Sequence, residues 1–98
     1  MKENQRFKKF IAEYCEDIVV ADGLQDAFIG IHHASTGTIA VYDRAKVLKV
    51  ISKQMKLSWD EAEDFAEFNI FNAKMGDQTP IFITIIKKQQ WSKDFTVE

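Results

Sequence analysis

The sequence predicts an α+β domain in which three helices pack on a small, mainly antiparallel sheet of three to four strands, in the order α-β-β-α-α-β. Three observations predict this class. Apolar residues recur at helical spacing, apolar runs of strand length lie between the helical segments and after them, and glycine, proline and aspartate mark the turns. The chain is long enough for one domain, residues 1–98, with residues 86–98 as a docked or flexible tail.

The N-terminal segment has the apolar spacing of one helix face. Its apolar side chains recur at intervals of three and four residues, at Phe7, Phe10, Ile11, Tyr14 and Ile18. A first helix is therefore predicted over residues 3–16. Asp22 and Gly23 then form a turn signal before the first strand.

Two strands joined by a loop are predicted after this turn. Residues 27–31 are apolar on both alternating faces, which is typical of an interior strand covered on both sides. Gly30 within that run indicates a bulge or a close backbone approach. Residues 32–37 are predicted to form the hairpin loop, and residues 38–42 the returning strand.

The second and third helices both have start signals. Asp43 is predicted to cap the second helix, because its carboxylate can accept from the free backbone amides of the first turn. That helix has an apolar side of Val47, Leu48, Ile51 and Met55 and a basic side of Lys46, Lys49, Lys53 and Lys56. Ser58 and Glu61 form a capping box that starts the third helix. Gly76 is its predicted end, in the left-handed position.

The last strand is predicted over residues 81–86. Pro80 disfavours helix at the residue before it, and the β-branched residues that follow suit a pleated surface. Trp91 and Phe95 in the tail indicate that it docks on the domain.

The composition restricts the partners and the compartment. A formal net charge of −2 gives no basis for nucleic-acid binding, and no apolar run approaches the roughly 20 residues that span a bilayer. We expect a cytoplasmic protein without a membrane partner, in its own cell or in a cell that its genome has entered. Cys15 is the single cysteine, so neither an internal disulfide nor a multi-thiolate metal site can form. We expect no cofactor and no metal.

The candidates for catalysis are weak. His32 and His33 are adjacent, and adjacent strand residues point to opposite faces, so the two imidazoles cannot chelate one ion without a sharp turn. General acid–base chemistry would need His33 to converge with aspartates, namely Asp22, Asp26 or Asp43. Cys15 has acidic neighbours and no nearby cation to lower its pKa. We therefore do not expect an enzyme.

Two charged stripes follow the second and third helices. The acidic stripe consists of Asp60, Glu63, Asp64 and Glu67, and the basic stripe is the lysine side of the second helix. We expect both to be solvated helix faces, with ion pairs worth up to about 1 kcal/mol each. The alternative is that the acidic stripe imitates a nucleic-acid backbone, but the lysines beside it make a poor imitation.

Asn69 breaks the pattern of the third helix. Helical spacing places it in an apolar stripe of Ala62, Phe65, Ala66 and Ala73. A buried carboxamide without partners costs roughly 1–3 kcal/mol, so Asn69 should hold a specific hydrogen bond or face a ligand. An Asn that binds backbone groups also ends or bends helices, and this structural role is the one we favour.

Three apolar residues lie on the opposite, acidic side of the same helix. Phe68, Phe71 and Met75 are spaced as one contiguous strip, and such strips mark interfaces. The alternative is that the helix bends near Asn69, after which Phe71 turns back into the core of its own domain.

A longer pattern of residues resembles a known group of proteins. The pattern consists of Asp22-Gly23-Leu24, Ala27-Phe28-Ile29-Gly30, Tyr42-Asp43 with Lys46, Glu61-Ala62, Glu67-Phe68-Asn69, Ala73, Gly76 and Thr79-Pro80-Ile81-Phe82. It covers about residues 22–83 and resembles small uncharacterised proteins of tailed bacteriophages and prophages. Members often have a Cys-Gly turn where this chain has residues 32–37. The resemblance implies a phage accessory protein that acts in the host bacterial cytoplasm, and it brings no catalytic residues.

Three functional hypotheses follow. The first is a non-enzymatic phage-type accessory protein that modulates or inhibits a host or phage protein, for instance against host defence, and that can be a homo-oligomer. Its contact surface would be the end of the third helix, with Phe68, Asn69, Phe71 and Met75, and the loop at residues 76–79. The second is a protein that sequesters a small ligand or nucleotide in a pocket of Asp22, Tyr42, Asn69 and Thr79. A small enzyme is the third.

Overall fold

The computed structural model describes residues 2–14, 18–74 and 76–92. The elements are helix α1 (Lys2–Tyr14), strands β1 (Phe28–Ala34) and β2 (Gly37–Asp43), helices α2 (Arg44–Met55) and α3 (Trp59–Ala66), and strand β3 (Ile81–Ile83). Short helical turns occur at Gln25–Ala27, Glu67–Phe71 and Lys88–Gln90. The α+β class and the order α-β-β-α-α-β are confirmed. No helix in the described part of the chain is long and apolar enough to cross a membrane.

The sheet has three strands in the order β1-β2-β3 and is mixed. β1 runs antiparallel to β2, whereas β3 runs parallel to it. The parallel pair follows from the connection, because α2 and α3 carry the chain back to the starting end of β2. β1 is an edge strand, so the prediction of an interior strand at residues 27–31 is wrong. Ile29 within it points outward and is exposed.

The hairpin is tighter than the sequence predicts. β1 continues to Ala34, so only residues 35–36 form the turn between the strands. His32 and His33 therefore lie in β1, opposite Ile39 and Thr38, and not in a loop. The predicted irregularity at Gly30 is confirmed, because the pairing register shifts between Phe28 and Gly30 and leaves Ile29 as an extra residue.

α1 buries only part of its predicted face. Ile11 is buried and Phe7 is half-buried against the core. Phe10 and Tyr14 are instead largely exposed and contact each other, with ring centroids 5.7 Å apart. α1 is described as far as Tyr14, and Cys15 lies outside the described residues.

A row of aromatic rings forms the centre of the core. Successive ring centroids lie 5.0, 5.7, 5.5 and 5.1 Å apart along the row Phe7, Phe28, Tyr42, Phe82 and Phe71. The row crosses all three strands, and strand pairing places Tyr42 directly beside Phe82. Because one ring comes from α1 and another from the turn after α3, these elements pack on the same face of the sheet.

The predicted helix starts of α2 and α3 are confirmed. The Asp43 side chain accepts a hydrogen bond from the Ala45 amide at 3.0 Å. At α3, the Ser58 amide donates to Glu61 Oε1 at 2.8 Å and the Glu61 amide donates to Ser58 Oγ at 3.2 Å, which completes the capping box. The inner face of α2 is buried as predicted except at Met55, which is half-exposed.

The end of the helical region after α3, the length of β3 and the position of the tail all differ from prediction. The helical structure after α3 stops at Phe71, and Gly76 has its positive φ of +89° within the following loop and not at a helix end. β3 contains only Ile81–Ile83, shorter than the predicted residues 81–86. Trp91 is largely exposed and does not dock on the core, and Phe95 lies outside the described residues.

Candidate binding cleft

A cleft of about 310 Å³ opens between α2, the end of α3 and two connecting segments at residues 21–24 and 79–82. Its floor is apolar and consists of three buried residues, Leu24, Ile51 and Pro80. Half-buried apolar side chains form its walls, namely Phe65, Ile70 and Phe82. Because these residues come from four separate segments, folding alone brings them together.

The rim of the cleft is polar. Asp22, Gln54 and Asn69 are exposed and line it, and the half-exposed Met55 lies among them. Among the described residues that line the cleft, none is Lys or Arg. Asp22 therefore gives the mouth of the cleft a negative potential.

Asn69 is placed on the rim by a π-helical turn. This turn, Glu67–Phe71, continues α3 with wider hydrogen-bond spacing, and such turns often occur at functional sites. Asn69 Nδ2 donates to the Phe65 carbonyl at 2.9 Å, and Asn72 Nδ2 donates to the Glu67 carbonyl at 2.8 Å. The role of Asn69 at a helix irregularity is confirmed. The predicted burial of Asn69 is wrong, because its side chain is exposed. Its Oδ1 is therefore an acceptor that a ligand can use.

The predicted aromatic strip is divided by the same turn. Phe71 lies in the core, 5.1 Å from Phe82 between ring centroids, with the Arg44 guanidinium carbon 4.7 Å above its ring. Phe68 points into solvent and is 87% exposed. The two side chains do not form one contiguous surface, so the alternative that Phe71 returns to the core is correct. Met75, the third member of the strip, lies outside the described residues.

Arg44 holds the turn against α2. Its guanidinium is 2.9 Å from Glu67 Oε2 and 3.6 Å from Glu63 Oε2, in addition to covering the Phe71 ring. The acidic stripe thus pairs with an arginine at the start of α2. Ion pairs of this exposure contribute little each, so we attribute the position of the turn mainly to the Phe71 packing.

Tyr42 does not line the cleft, which corrects its predicted place in a ligand pocket. It is fully buried in the aromatic row, because its position in the central strand points it at the helices. Its hydroxyl accepts a hydrogen bond from the Ala21 amide at 2.9 Å. Burial is the main cause that raises the pKa of Tyr42, with a further increase from Asp22 and an opposing effect of the Ala21 amide. Tyr42 thereby anchors the segment that presents Asp22.

The other three residues of the predicted ligand pocket converge as expected. Asp22, Asn69 and Thr79 all line the cleft. Thr79 Oγ1 donates to the Gly76 carbonyl at 2.8 Å, which holds the loop at residues 76–79 beside it. Sequence reasoning missed Gln54 and Met55 as rim residues. The place of Met55 could have been predicted, since it is the last apolar residue on the inner face of α2.

The residues of the predicted acid–base site lie apart. Asp43 caps α2, and Asp26 lines a separate depression with Lys46, Lys49 and Lys53. Asp22 is on the cleft rim, and His33 lies in β1 near the hairpin turn. Within residues 2–14, 18–74 and 76–92, no group of three or more His, Cys, Asp and Glu side chains is arranged to hold a metal ion.

Comparison of the chain with protein-family models, curated proteins and solved structures found no match. Function is therefore inferred from the cleft and the surface around it.

Proposed function

We propose that this protein is a non-enzymatic, phage-type accessory protein that binds a host or phage protein through the cleft and modulates or inhibits it. The observation that carries the proposal is the cleft's buried apolar floor, enclosed by an exposed polar rim. Protein interfaces have the same arrangement, with an apolar centre that excludes water and a polar border. The phage context, and action in the cytoplasm of a bacterial host, are supported by the resemblance over residues 22–83.

The size of the cleft favours an anchoring side chain of a partner protein. Its volume of about 310 Å³ is at the lower end of small-molecule pockets and suits one or two inserted apolar side chains. Energetic hot spots at interfaces are typically such anchors in desolvated pockets. The π-helical turn that presents Asn69 also carries Phe68, an apolar side chain that is almost entirely exposed. Met55 on the rim can adjust its conformation to the entering group.

The charge of the rim indicates the chemistry of the partner. Asp22 has no cation beside it among the described lining residues. A partner segment with Lys or Arg next to its apolar anchor would complement it, which would speed association at low ionic strength. We therefore propose a basic, amphipathic segment as the ligand.

Narrowing the cleft tests this proposal. We expect Ala73→Leu to lower the affinity for the partner protein about tenfold or more, because the added side chain takes the space of the partner's anchoring side chain. Affinity capture from infected and uninfected bacterial lysates, read by mass spectrometry, identifies the partner, and titration calorimetry with the purified partner gives the affinity.

The matched control is Ala45→Leu, which adds the same side chain at an exposed position of α2 that does not line the cleft. It should bind as the unmodified chain does. Equal affinities for Ala73→Leu and the unmodified chain would show that the partner binds elsewhere.

The second candidate function is the sequestration of a small ligand. It is favoured by the convergence of Asp22, Asn69 and Thr79 on one cleft, where they can orient a polar ligand. The absence of Lys and Arg from the described lining leaves a nucleotide phosphate without a counter-charge, so a neutral or cationic ligand fits better. A thermal-shift screen of nucleotides, cyclic dinucleotides and amines discriminates between these classes. A ligand at 100 times its dissociation constant should stabilise the fold by about 2.7 kcal/mol, and no shift at millimolar concentration would eliminate this function.

A further inference from the structure

The outer edge of β3 is open in the described structure. β2 is the only strand that pairs with β3, so the other row of β3 backbone amides and carbonyls has no strand beside it. The segment from residue 81 onward also exposes a row of isoleucines, Ile81, Ile83 and Ile85, at 38%, 40% and 46%. An exposed apolar strand edge is a template for pairing with another chain.

The isoleucine row belongs to an apolar band on the sheet face opposite the helices. Pairing places Ile81 beside Val41, whereas Tyr42 and Phe82 point to the other face and enter the aromatic row. Val41 and Ile39 are half-buried, so the band crosses from β2 to β3. It ends at the open edge of β3, where a continued sheet would extend it.

We propose that a second copy of this chain pairs with this edge, antiparallel to β3, around a two-fold axis at Ile83. The two sheets would then join into one continuous sheet. The dimer would extend β3 from Ile83 to Ile85, which is not a strand residue in the single chain. The sequence of the edge is then self-complementary, because Ile83 would face its own copy and Ile81 would face Ile85 of the second copy. The exposed isoleucines of both copies would meet on the same face.

The charges of the segment do not oppose this arrangement. Between residues 77 and 88 the charged side chains are Asp77 at the start and Lys87 and Lys88 at the end. All three lie outside residues 81–85, so pairing around Ile83 places no like charges opposite each other.

The other edge of the sheet is protected against such pairing, whereas β3 is not. β1 has a bulge at Ile29, and bulges interrupt the regular row of backbone groups that a new strand needs. No charged residue or proline interrupts residues 81–86. The comparison of the two edges therefore singles out β3 as the dimer contact.

A matched pair of substitutions tests the proposal. Ile83 and Ile29 have the same exposure, 40% and 39%, and lie on the two opposite edge strands. Sedimentation velocity should give the unmodified chain a mass twice its 11.3 kDa, falling towards the monomer on dilution. Ile83→Lys should remain monomeric, because two lysines would face each other at the axis, and Ile29→Lys should stay dimeric. A monomeric unmodified chain, or a dimer that Ile83→Lys leaves intact, overturns the proposal.

Cysteine cross-linking provides a second measurement if Ile83→Lys unfolds, which circular dichroism would show. In a Cys15→Ser background, Ile83→Cys should form a disulfide-linked dimer on mild oxidation, since residues directly opposite each other in an antiparallel pair lie within disulfide range. Ile81→Cys should cross-link far more slowly, because it faces Ile85 of the second copy. Equal rates at both positions, or no cross-link at either, would contradict the register. Ile81, Ile83 and Ile85 do not line the cleft, so this test and that of the cleft can fail independently.

Discussion

Replacing Tyr42 with alanine is expected to reduce the free energy of unfolding by about 3–5 kcal/mol, as for other buried aromatic residues. Tyr42 is fully buried, and its ring lies between those of Phe28 and Phe82 at centroid distances of 5.7 and 5.5 Å. Its removal leaves a cavity in the middle of the aromatic row and frees the Ala21 amide. Because small domains have only about 5–15 kcal/mol of stability, this is a large fraction of the total. Urea denaturation followed by tryptophan fluorescence measures it.

Two further variants separate the contribution of the Tyr42 hydroxyl from that of its ring, and a buried tyrosine from an exposed one. Tyr42→Phe keeps the ring and removes the hydroxyl, so it should cost about 1–3 kcal/mol through the unsatisfied Ala21 amide. Tyr14→Ala is the matched control, since Tyr14 is largely exposed and contacts Phe10 alone among the described rings. If Tyr42→Ala and Tyr14→Ala were equally stable, the aromatic row would not be the centre of the core.

Phe71 and Phe68 are expected to respond to alanine in opposite ways, although they are three positions apart. Phe71→Ala should cost about 2–3 kcal/mol of stability, because the ring packs on Phe82 and lies under Arg44. Phe68→Ala should change stability by less than about 0.5 kcal/mol, since the side chain is in solvent. Denaturant unfolding of the two variants side by side gives both values.

For partner binding, in contrast to stability, Phe68→Ala should have the larger effect and Phe71→Ala the smaller one. We expect Phe68→Ala to weaken the captured partner's affinity about tenfold or more if Phe68 is part of the contact surface beside the cleft. Phe71 does not line the cleft, so Phe71→Ala should weaken binding of the partner only if the π-helical turn moves. Its affinity is measured at a temperature where the variant is folded. A Phe68→Ala variant with unchanged affinity would restrict the contact surface to the cleft.

The rim of the cleft is held on one side by the segment at residues 21–24, before β1, and on the other by the turn that follows α3. Tyr42 holds Ala21 and so presents Asp22, while Phe71 and Arg44 hold the turn that presents Asn69. Both sides of the rim are therefore fixed by side chains that do not enter the cleft. Substitutions of Tyr42, Phe71 or Arg44 are therefore expected to weaken binding by displacing the rim.

Features that depend on near neighbours in the chain could be predicted from the sequence. The Asp43 cap and the capping box of Ser58 and Glu61 need residues two or three positions apart, and both form as predicted. The order of helices and strands follows from the same kind of signal, since apolar periodicity is a property of one segment at a time. The irregularity at Gly30 was also local, because glycine weakens a regular strand wherever it occurs.

The way in which these segments face one another could not be predicted from such local signals. An apolar run predicts a strand but not its place in the sheet, so β1 became an edge strand and β3 became the parallel neighbour of β2. The π-helical turn rotated Phe71 into the core and left Phe68 outside, a change that helical spacing alone does not contain. The cleft likewise exists only because Asp22, Asn69 and Thr79, which are distant in sequence, are brought to one place by folding. Burial of a helix or strand face depends on the segment that covers it, and that segment is remote in the chain.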